Sequence, residues 1–216
     1  MRKFIISPEG LLYIFISIIV TVGIALLNIY LAIIPLLITL FIIYFFRNPP
    51  RKISKDKQII LSPADGKILS ITKIDYDDVL KCEAYKISIF LSLFNVHVNR
   101  SPIQGKIFYK KYIPGKFFPA FKSHASALNE RNIIGIENEQ IKILVTQITG
   151  FIARRIVDWV KIDEEIEQGN LYGLIKFGSG TEIVIPANKV KLLVSGGQKV
   201  KAGKTKIGVI ESENIC

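Results

Sequence analysis

Tyr172-Gly173-Leu174-Ile175-Lys176-Phe177-Gly178-Ser179-Gly180-Thr181-Glu182-Ile183-Val184-Ile185-Pro186 sets two apolar runs, Leu174 to Phe177 and Ile183 to Ile185, on either side of a Gly-Ser-Gly-Thr corner. The pattern reads as strand, turn, strand, and it points to a chain built mainly on β-sheet. Gly178 and Gly180 leave the Ser179 hydroxyl room to approach a peptide carbonyl. Two readings stand side by side here. One is an ordinary hairpin loop, for which Gly-Ser-Gly is a common composition. The other is an N-to-O acyl shift, in which Ser179 Oγ attacks the carbonyl of Gly178. A serine-hydrolase elbow is excluded, because G-x-S-x-G needs glycine at 177 and the chain has Phe177.

Upstream, Tyr85 to Arg100 begins as a strand of period 2, with Ile87, Ile89, Leu91 and Leu93 on one face. Continued alternation puts Asn95, His97 and Asn99 on a common face. His97 is one of only two histidines. It is either a structural histidine or a proton-transfer group, the role to which imidazole is best suited near neutral pH. His124 lies in the polar run Lys122 to Ser126 and reads as a loop residue. Ile59 to Ile68 reads as strand, turn, strand with Asp65-Gly66 at the corner. Asp65 is there a turn residue or a carboxylate able to orient an imidazole. Ile133–Ile136 and Ile141–Thr146 read as further strands. Arg154 and Arg155 stand together in apolar surroundings, where one guanidinium suits a buried carboxylate or an anionic substrate group. Asp158 to Glu167 reads as an acidic, solvated connection.

Working outward to the N-terminus, 37 residues from Gly10 to Phe46 carry no charge. That is too long for one ordinary span of about 20 residues and enough for two short ones. Asn28-Ile29-Tyr30 is the natural turn, giving spans of Gly10–Leu27 and Leu31–Phe46, each about 25 Å of helix. A shallow hairpin fits as well as full spanning, and Pro35 is placed to kink the second helix. Arg2 and Lys3 before it and Arg47, Arg51 and Lys52 after it put both ends in the cytoplasm, at the cell membrane. The alternative is a single tilted span with an exported domain. Residues 47–216 are then one domain of ordinary size.

The net charge of +11 favours an anionic partner, and the apolar segment next door favours the membrane. No nucleic-acid motif is evident. Phe108 to Phe121 mixes aromatic rings with lysines, which suits a membrane interface or a core-packing loop. Two cysteines make neither a disulfide framework nor a metal-ligand spacing, so no metal is expected. Val194 to Ile210 has the glycine spacing of small β-sandwich modules of the biotinyl and lipoyl type, a barrel-sandwich-hybrid-like region. Without a lysine presented between two methionines, covalent carriage of those groups is not expected. The fold class is therefore α+β, mainly β: an N-terminal hydrophobic helical hairpin (1–46) followed by a β-rich domain (47–216).

Taken in order, Arg47-Asn48-Pro49-Pro50-Arg51, Ser62-Pro63-Ala64-Asp65-Gly66, Phe94 to Pro102, Asn129-Glu130-Arg131-Asn132, Gln147 to Ile156 and Phe177-Gly178-Ser179 together resemble the short form of the phosphatidylserine decarboxylase proenzymes. The resemblance implies self-cleavage between Gly178 and Ser179. The products would be a 1–178 chain and a 179–216 chain, held together as a heterodimer. It implies a covalent pyruvoyl cofactor made from Ser179, which forms a Schiff base with the head-group amine and acts as electron sink for loss of CO2. The product would be phosphatidylethanolamine, made from phosphatidylserine in the membrane. His97 would act as base with Asp65 orienting it, and Arg154, Arg155, Asn95 and Asn99 would meet the substrate. Two departures stand out. Phe94 occupies a position where longer members carry a second histidine, leaving the proton donor unassigned. Gly180 follows the serine where bulkier residues are more common, which predicts a looser turn and slower maturation. The alternatives are a decarboxylase of another serine phospholipid, such as archaetidylserine, and a non-catalytic membrane-tethered β-sandwich adaptor.

Overall fold

The computed structural model describes residues 4–54, 56–118, 128–150, 155–176 and 179–211, with Ser179 described by its backbone alone. The chain divides into two compact units, one running from Arg2 to Pro50 and one from Arg51 onward.

The first unit is a helical hairpin. Pro8 stands in the first turn of α1 (Pro8–Leu27), where its missing N–H costs no helical bond. Asn28 ends the helix: its N–H donates to the Ile24 carbonyl, and its Oδ1 accepts the amides of Tyr30 and Leu31. The turn expected at Asn28 is thus closed by the asparagine side chain. Then α2 (Ile33–Phe45) returns. Pro35 falls in its first turn, so it removes no intrahelical bond, contrary to the expected kink. Gly10 lies against the Phe46 ring, where a Cβ would come within 2.4 Å of Cγ. Thr21 and Thr39 touch across the pair, Oγ1 to Oγ1, at 3.2 Å. The two helices are unequal. Among the described residues only α1, 20 residues of mean hydropathy 2.6 over its best window, is long and apolar enough to cross a membrane. At 13 residues α2 reaches only about 20 Å.

The second unit is β-rich. Its strands are β1 (Ile59–Leu61), β2 (Gly66–Asp77), β3 (Cys82–Leu91), β4 (Val98–Arg100), β5 (Gly105–Ile113), β6 (Arg131–Glu137), β7 (Lys142–Ile148), β8 (Arg155–Asp158), β9 (Glu165–Ile166), β10 (Leu171–Lys176), β11 (Ser179–Pro186), β12 (Val190–Leu192), β13 (Lys199–Val200) and β14 (Lys206–Ile210). Eight of them form one sheet in the order β13-β2-β3-β11-β7-β6-β5-β9. Two three-stranded sheets, β4-β10-β8 and β1-β14-β12, complete the unit, and every pairing is antiparallel.

Alternation decides which face is buried. Ile87, Ile89 and Leu91 of β3 and Ile183 and Ile185 of β11 point into one core with Ile68, Ile107, Ile134, Val145 and Ile207. On the opposite face of the large sheet, Ala84, Leu144 and Val184 form a smaller cluster with Phe108, Tyr109 and Ile133. Phe108 and Tyr109 thus belong to a sheet face, the packing alternative for the start of that aromatic stretch.

The opening stretch folds differently from a hairpin. The strands β10 and β11 do not pair with each other: β10 lies between β4 and β8, and β11 between β3 and β7. The chain therefore leaves one sheet at Lys176 and enters another at Ser179. Hairpin periodicity is identical to that of two strands that part company, so the sequence pattern could not separate them. Likewise β1 and β2, on either side of Asp65, join different sheets.

Candidate active site

The strand ends that flank three connections between the β4-β10-β8 sheet and the large sheet lie together. The first is 92–97, from β3 to β4; the second is 149–154, from β7 to β8; the third is 177–178, from β10 to β11. Register brings them together. Ser179 is opposite Leu91, Gly180 is opposite Ile148, Lys176 is opposite Arg155, and the Ile175 amide donates to the His97 carbonyl at 3.3 Å. The three sequence blocks around His97, Gln147–Ile156 and Ser179 are these connections and their flanks. A groove of about 870 Å³ lined by Ile53, Gln104, Lys106, Glu137, Glu165 and Gln168 lies at the other end of β5 and β6 and holds none of these residues.

His97 is fully buried at the start of β4. Its Nδ1 lies 3.0 Å from the Asn95 carbonyl oxygen. A carbonyl oxygen only accepts, so Nδ1 carries a proton, and in the neutral ring Nε2 is the basic nitrogen. Asn95 is itself fixed, its Oδ1 accepting from the Ser92 amide at 2.9 Å and the Ser92 hydroxyl at 2.8 Å. Asn95 thus ties the 92–97 connection with its side chain and holds the ring with its backbone.

Asp65 is buried, but its hydrogen bonds go elsewhere than the histidine. Oδ2 accepts from Arg51 Nη2 at 2.9 Å, and Oδ1 accepts the Ala202 amide at 2.8 Å. Arg51 also donates to the Ala202 carbonyl at 3.3 Å. With these bonds the carboxylate clamps the start of the domain to the C-terminal segment. Arg100 is close enough to feel both groups. Burial first, then the Arg51 charge, push its guanidinium down to about 10, with Asp65 opposing. At 10 it stays cationic near neutral pH, and it donates to the Gly169 carbonyl at 3.0 Å.

Asn99 is fully buried and begins a polar chain that sequence reading missed. Its Nδ2 donates to Thr181 Oγ1 at 3.3 Å, two residues beyond Ser179. Its Oδ1 accepts from Gln147 Nε2 at 3.0 Å, and Gln147 Oε1 accepts from Asn132 Nδ2 at 3.3 Å. Asn132 Nδ2 also reaches Asp158 Oδ2 at 3.2 Å, and Lys110 Nζ closes the run at 2.6 Å from the same oxygen. Gly173 lets it pass: a Cβ there would stand 2.6 Å from Gln147 Nε2. Asp158, expected in a solvated connection, is thus a half-buried ion-pair partner. Amide side chains scattered over apolar strands were the only sequence signal.

Arg155 opens β8 as an exposed residue. Arg154 and His124 lie outside the described residues. Among the described residues no cluster of His, Cys, Asp or Glu could hold a metal ion.

The relatives of this chain are decarboxylases synthesised as proenzymes. A family model described as phosphatidylserine decarboxylase matches residues 38–208. A phosphatidylserine decarboxylase proenzyme of Carboxydothermus hydrogenoformans is 51% identical over 203 residues, 94% of this chain and 95% of that protein. One from Amoebophilus asiaticus is 47% identical, covering 82% and 79%. One from Symbiobacterium thermophilum is 37% identical, covering 96% and 97%. The chain belongs to the phosphatidylserine decarboxylase family.

Proposed function

We propose that the chain cuts its own backbone between Gly178 and Ser179 and then decarboxylates phosphatidylserine to phosphatidylethanolamine and CO2. The observation that carries this is that the strand ends next to His97, Ile148, Arg155, Lys176 and Ser179 lie together, in a chain of this family. Nε2 of His97 takes the hydroxyl proton as Ser179 Oγ attacks the Gly178 carbonyl, and the peptide nitrogen leaves as a free amine. Loss of the Ser179 Cα proton then expels the Gly178 carboxylate and leaves a dehydroalanine. Addition of water and loss of ammonia turn that end into a pyruvoyl cap. The cap supplies an electron sink for the carboxylate of the bound serine head group.

The framework suits such a cap. Ser179 opens a strand held on both sides, so after the cut the new terminus stays registered against Leu91 and the next residue, Gly180, against Ile148. The other stump, β10, is held by β4 and β8. Asp65 acts as a positioning residue, holding Arg51 and Ala202. The 62–65 segment in turn receives the Arg100 amide at the Pro63 carbonyl, 2.9 Å away, and so braces β4 behind His97. Arg155 begins the strand beside Lys176, and it and its sequence neighbour Arg154 would receive the lipid phosphate. Basic residues flanking the hairpin in sequence support a location at the cytoplasmic face of the cell membrane.

Intact mass of the purified chain tests the reading. The wild type should give 1–178 and 179–216 fragments, the smaller reactive toward a hydrazide. Ser179→Ala should stay at 24.3 kDa, and His97→Ala should process far more slowly. A full-length wild type, inert to hydrazide and without release of CO2 from phosphatidylserine, would overturn it.

A further inference from the structure

The second unit is polarised along its strands. At the Ser179 end of the large sheet, segments 91–97, 111–118, 128–131, 155–157 and 174–176 carry Lys111, Lys116, Arg131, Arg155 and Lys176, with Glu130 as their one carboxylate. Glu130 is itself only 9% exposed. At the opposite end, about 20 Å away along β7, stand Glu137, Glu139, Asp163, Glu164, Glu165 and Glu167. There Lys106 and Lys142 are taken up by Asp163 and Glu137, at 2.6 and 2.7 Å, and with Lys57 and Lys161 beside them the six carboxylates still outnumber the four lysines.

The basic end also exposes apolar side chains: Phe94 is 68% exposed, Leu128 46% and Phe117 37%. These sit on braced backbone. Asn129 Oδ1 accepts the Phe118 amide at 2.8 Å, and its Nδ2 donates to the carbonyls of Phe118 and Thr149, both at 2.7 Å. The amide of Lys116 bonds the Leu128 carbonyl at 2.8 Å. Water-facing aromatic and leucine side chains interleaved with lysines, held in place beside a site, match the chemistry of a bilayer interface. There apolar tips enter below the head groups and cations lie at the phosphates.

We propose that this rim is a membrane-docking face, in which Phe94, Phe117 and Leu128 enter an anionic lipid surface and Lys111, Lys116 and Arg155 lie against its phosphates. Charge complementarity selects the occupant: a cationic rim opposite an acidic end orients the unit on a negative surface. The inference rests on the proposed function only for its use, that a substrate held in the bilayer must reach Ser179. It also gives Phe94 a role, as a wedge beside the His97 connection.

Lipid quenching of introduced tryptophans tests it without reading activity. Full-length Ser179→Ala protein, which cannot process, is reconstituted into vesicles of phosphatidylglycerol and acyl-brominated phosphatidylcholine, with Trp159 retained as a constant background. Phe94→Trp and Leu128→Trp should be quenched several-fold more than Tyr76→Trp, an exposed position near the turn of the β2–β3 hairpin. Adding Lys111→Glu and Lys116→Glu, or raising salt to about 1 M, should remove most of that difference. Equal quenching at both ends, or none at Phe94 and Leu128 because a second copy or another protein covers them, would overturn the proposal. If the wild type fails to self-cleave while the quenching difference persists, the docking face stands and the decarboxylase reading falls.

Discussion

Tyr172 is the second residue of β10 with its ring in the core, and among the described residues its buried hydroxyl meets no hydrogen-bond partner. Burial first, and the Asp158 charge second, push its phenol far above the usual range, so it stays neutral. An unpaired buried hydroxyl costs about 1–3 kcal/mol, and removing it leaves the ring's packing intact. Tyr172→Phe should therefore be neutral or more stable by about 1 kcal/mol, read from the urea midpoint, whereas Tyr172→Ala should lose about 3–5 kcal/mol. Gly66 makes the opposite case. A Cβ there would stand 2.2 Å from the Phe90 carbonyl oxygen and 2.8 Å from Ile89. Because the obstacle is backbone, Gly66→Ala should destabilise the protein by about 1–3 kcal/mol. Gly180 is unlike both. It was expected to loosen a turn, but it lies in the β11 ladder between Phe90 and Ile148. Strand pairing constrains it, so Gly180 forms no loose turn that would slow maturation.

At the scale of elements, Gln147 joins strands that local sequence could not link. It bonds Asn99 of β4 and Asn132 of β6, and through Asn99 reaches Thr181 of β11. Gln147→Leu should leave two buried amides short of partners, costing about 2–4 kcal/mol. It should also slow processing at Gly178-Ser179 by loosening the strand that begins at the serine. Gln147→Glu keeps the acceptor and loses the donor. It should restore the Asn132 contact while leaving processing slow, which a purely structural role in stability would not predict. Pulse labelling and gel analysis separate the two. The strands themselves were legible, because alternation such as Ile87, Ile89, Leu91 reports a face directly. The partners of Asp65 were not. Arg51 and Ala202 lie 14 and 137 positions away, and nothing in a local pattern encodes such a meeting. His97 stood out in the sequence as one of two histidines, and the Asn95 carbonyl that holds its ring did not, since a backbone acceptor has no residue signature.

Over the whole molecule, the proposed cut leaves a 179–216 segment that is woven into the rest. Its β11 lies between β3 and β7 of the larger chain, its β13 pairs with β2, and its β14 pairs with β1. Ile183, Ile185, Val190, Val200, Ala202 and Ile207 from this segment are buried, most of them in the main core. Releasing it would expose that surface, at roughly 1.5–3 kcal/mol for each large side chain, and would break ladder bonds on both sides of β11. The bond at Gly178 contributes nothing to these contacts. Processed protein should therefore run as two chains under denaturing conditions and as one particle in native mass spectrometry. In urea the small chain should separate only at the midpoint where the core unfolds, as followed by circular dichroism. Release of the small chain well before that midpoint would mean that β11 is a detachable edge, contrary to its place between β3 and β7.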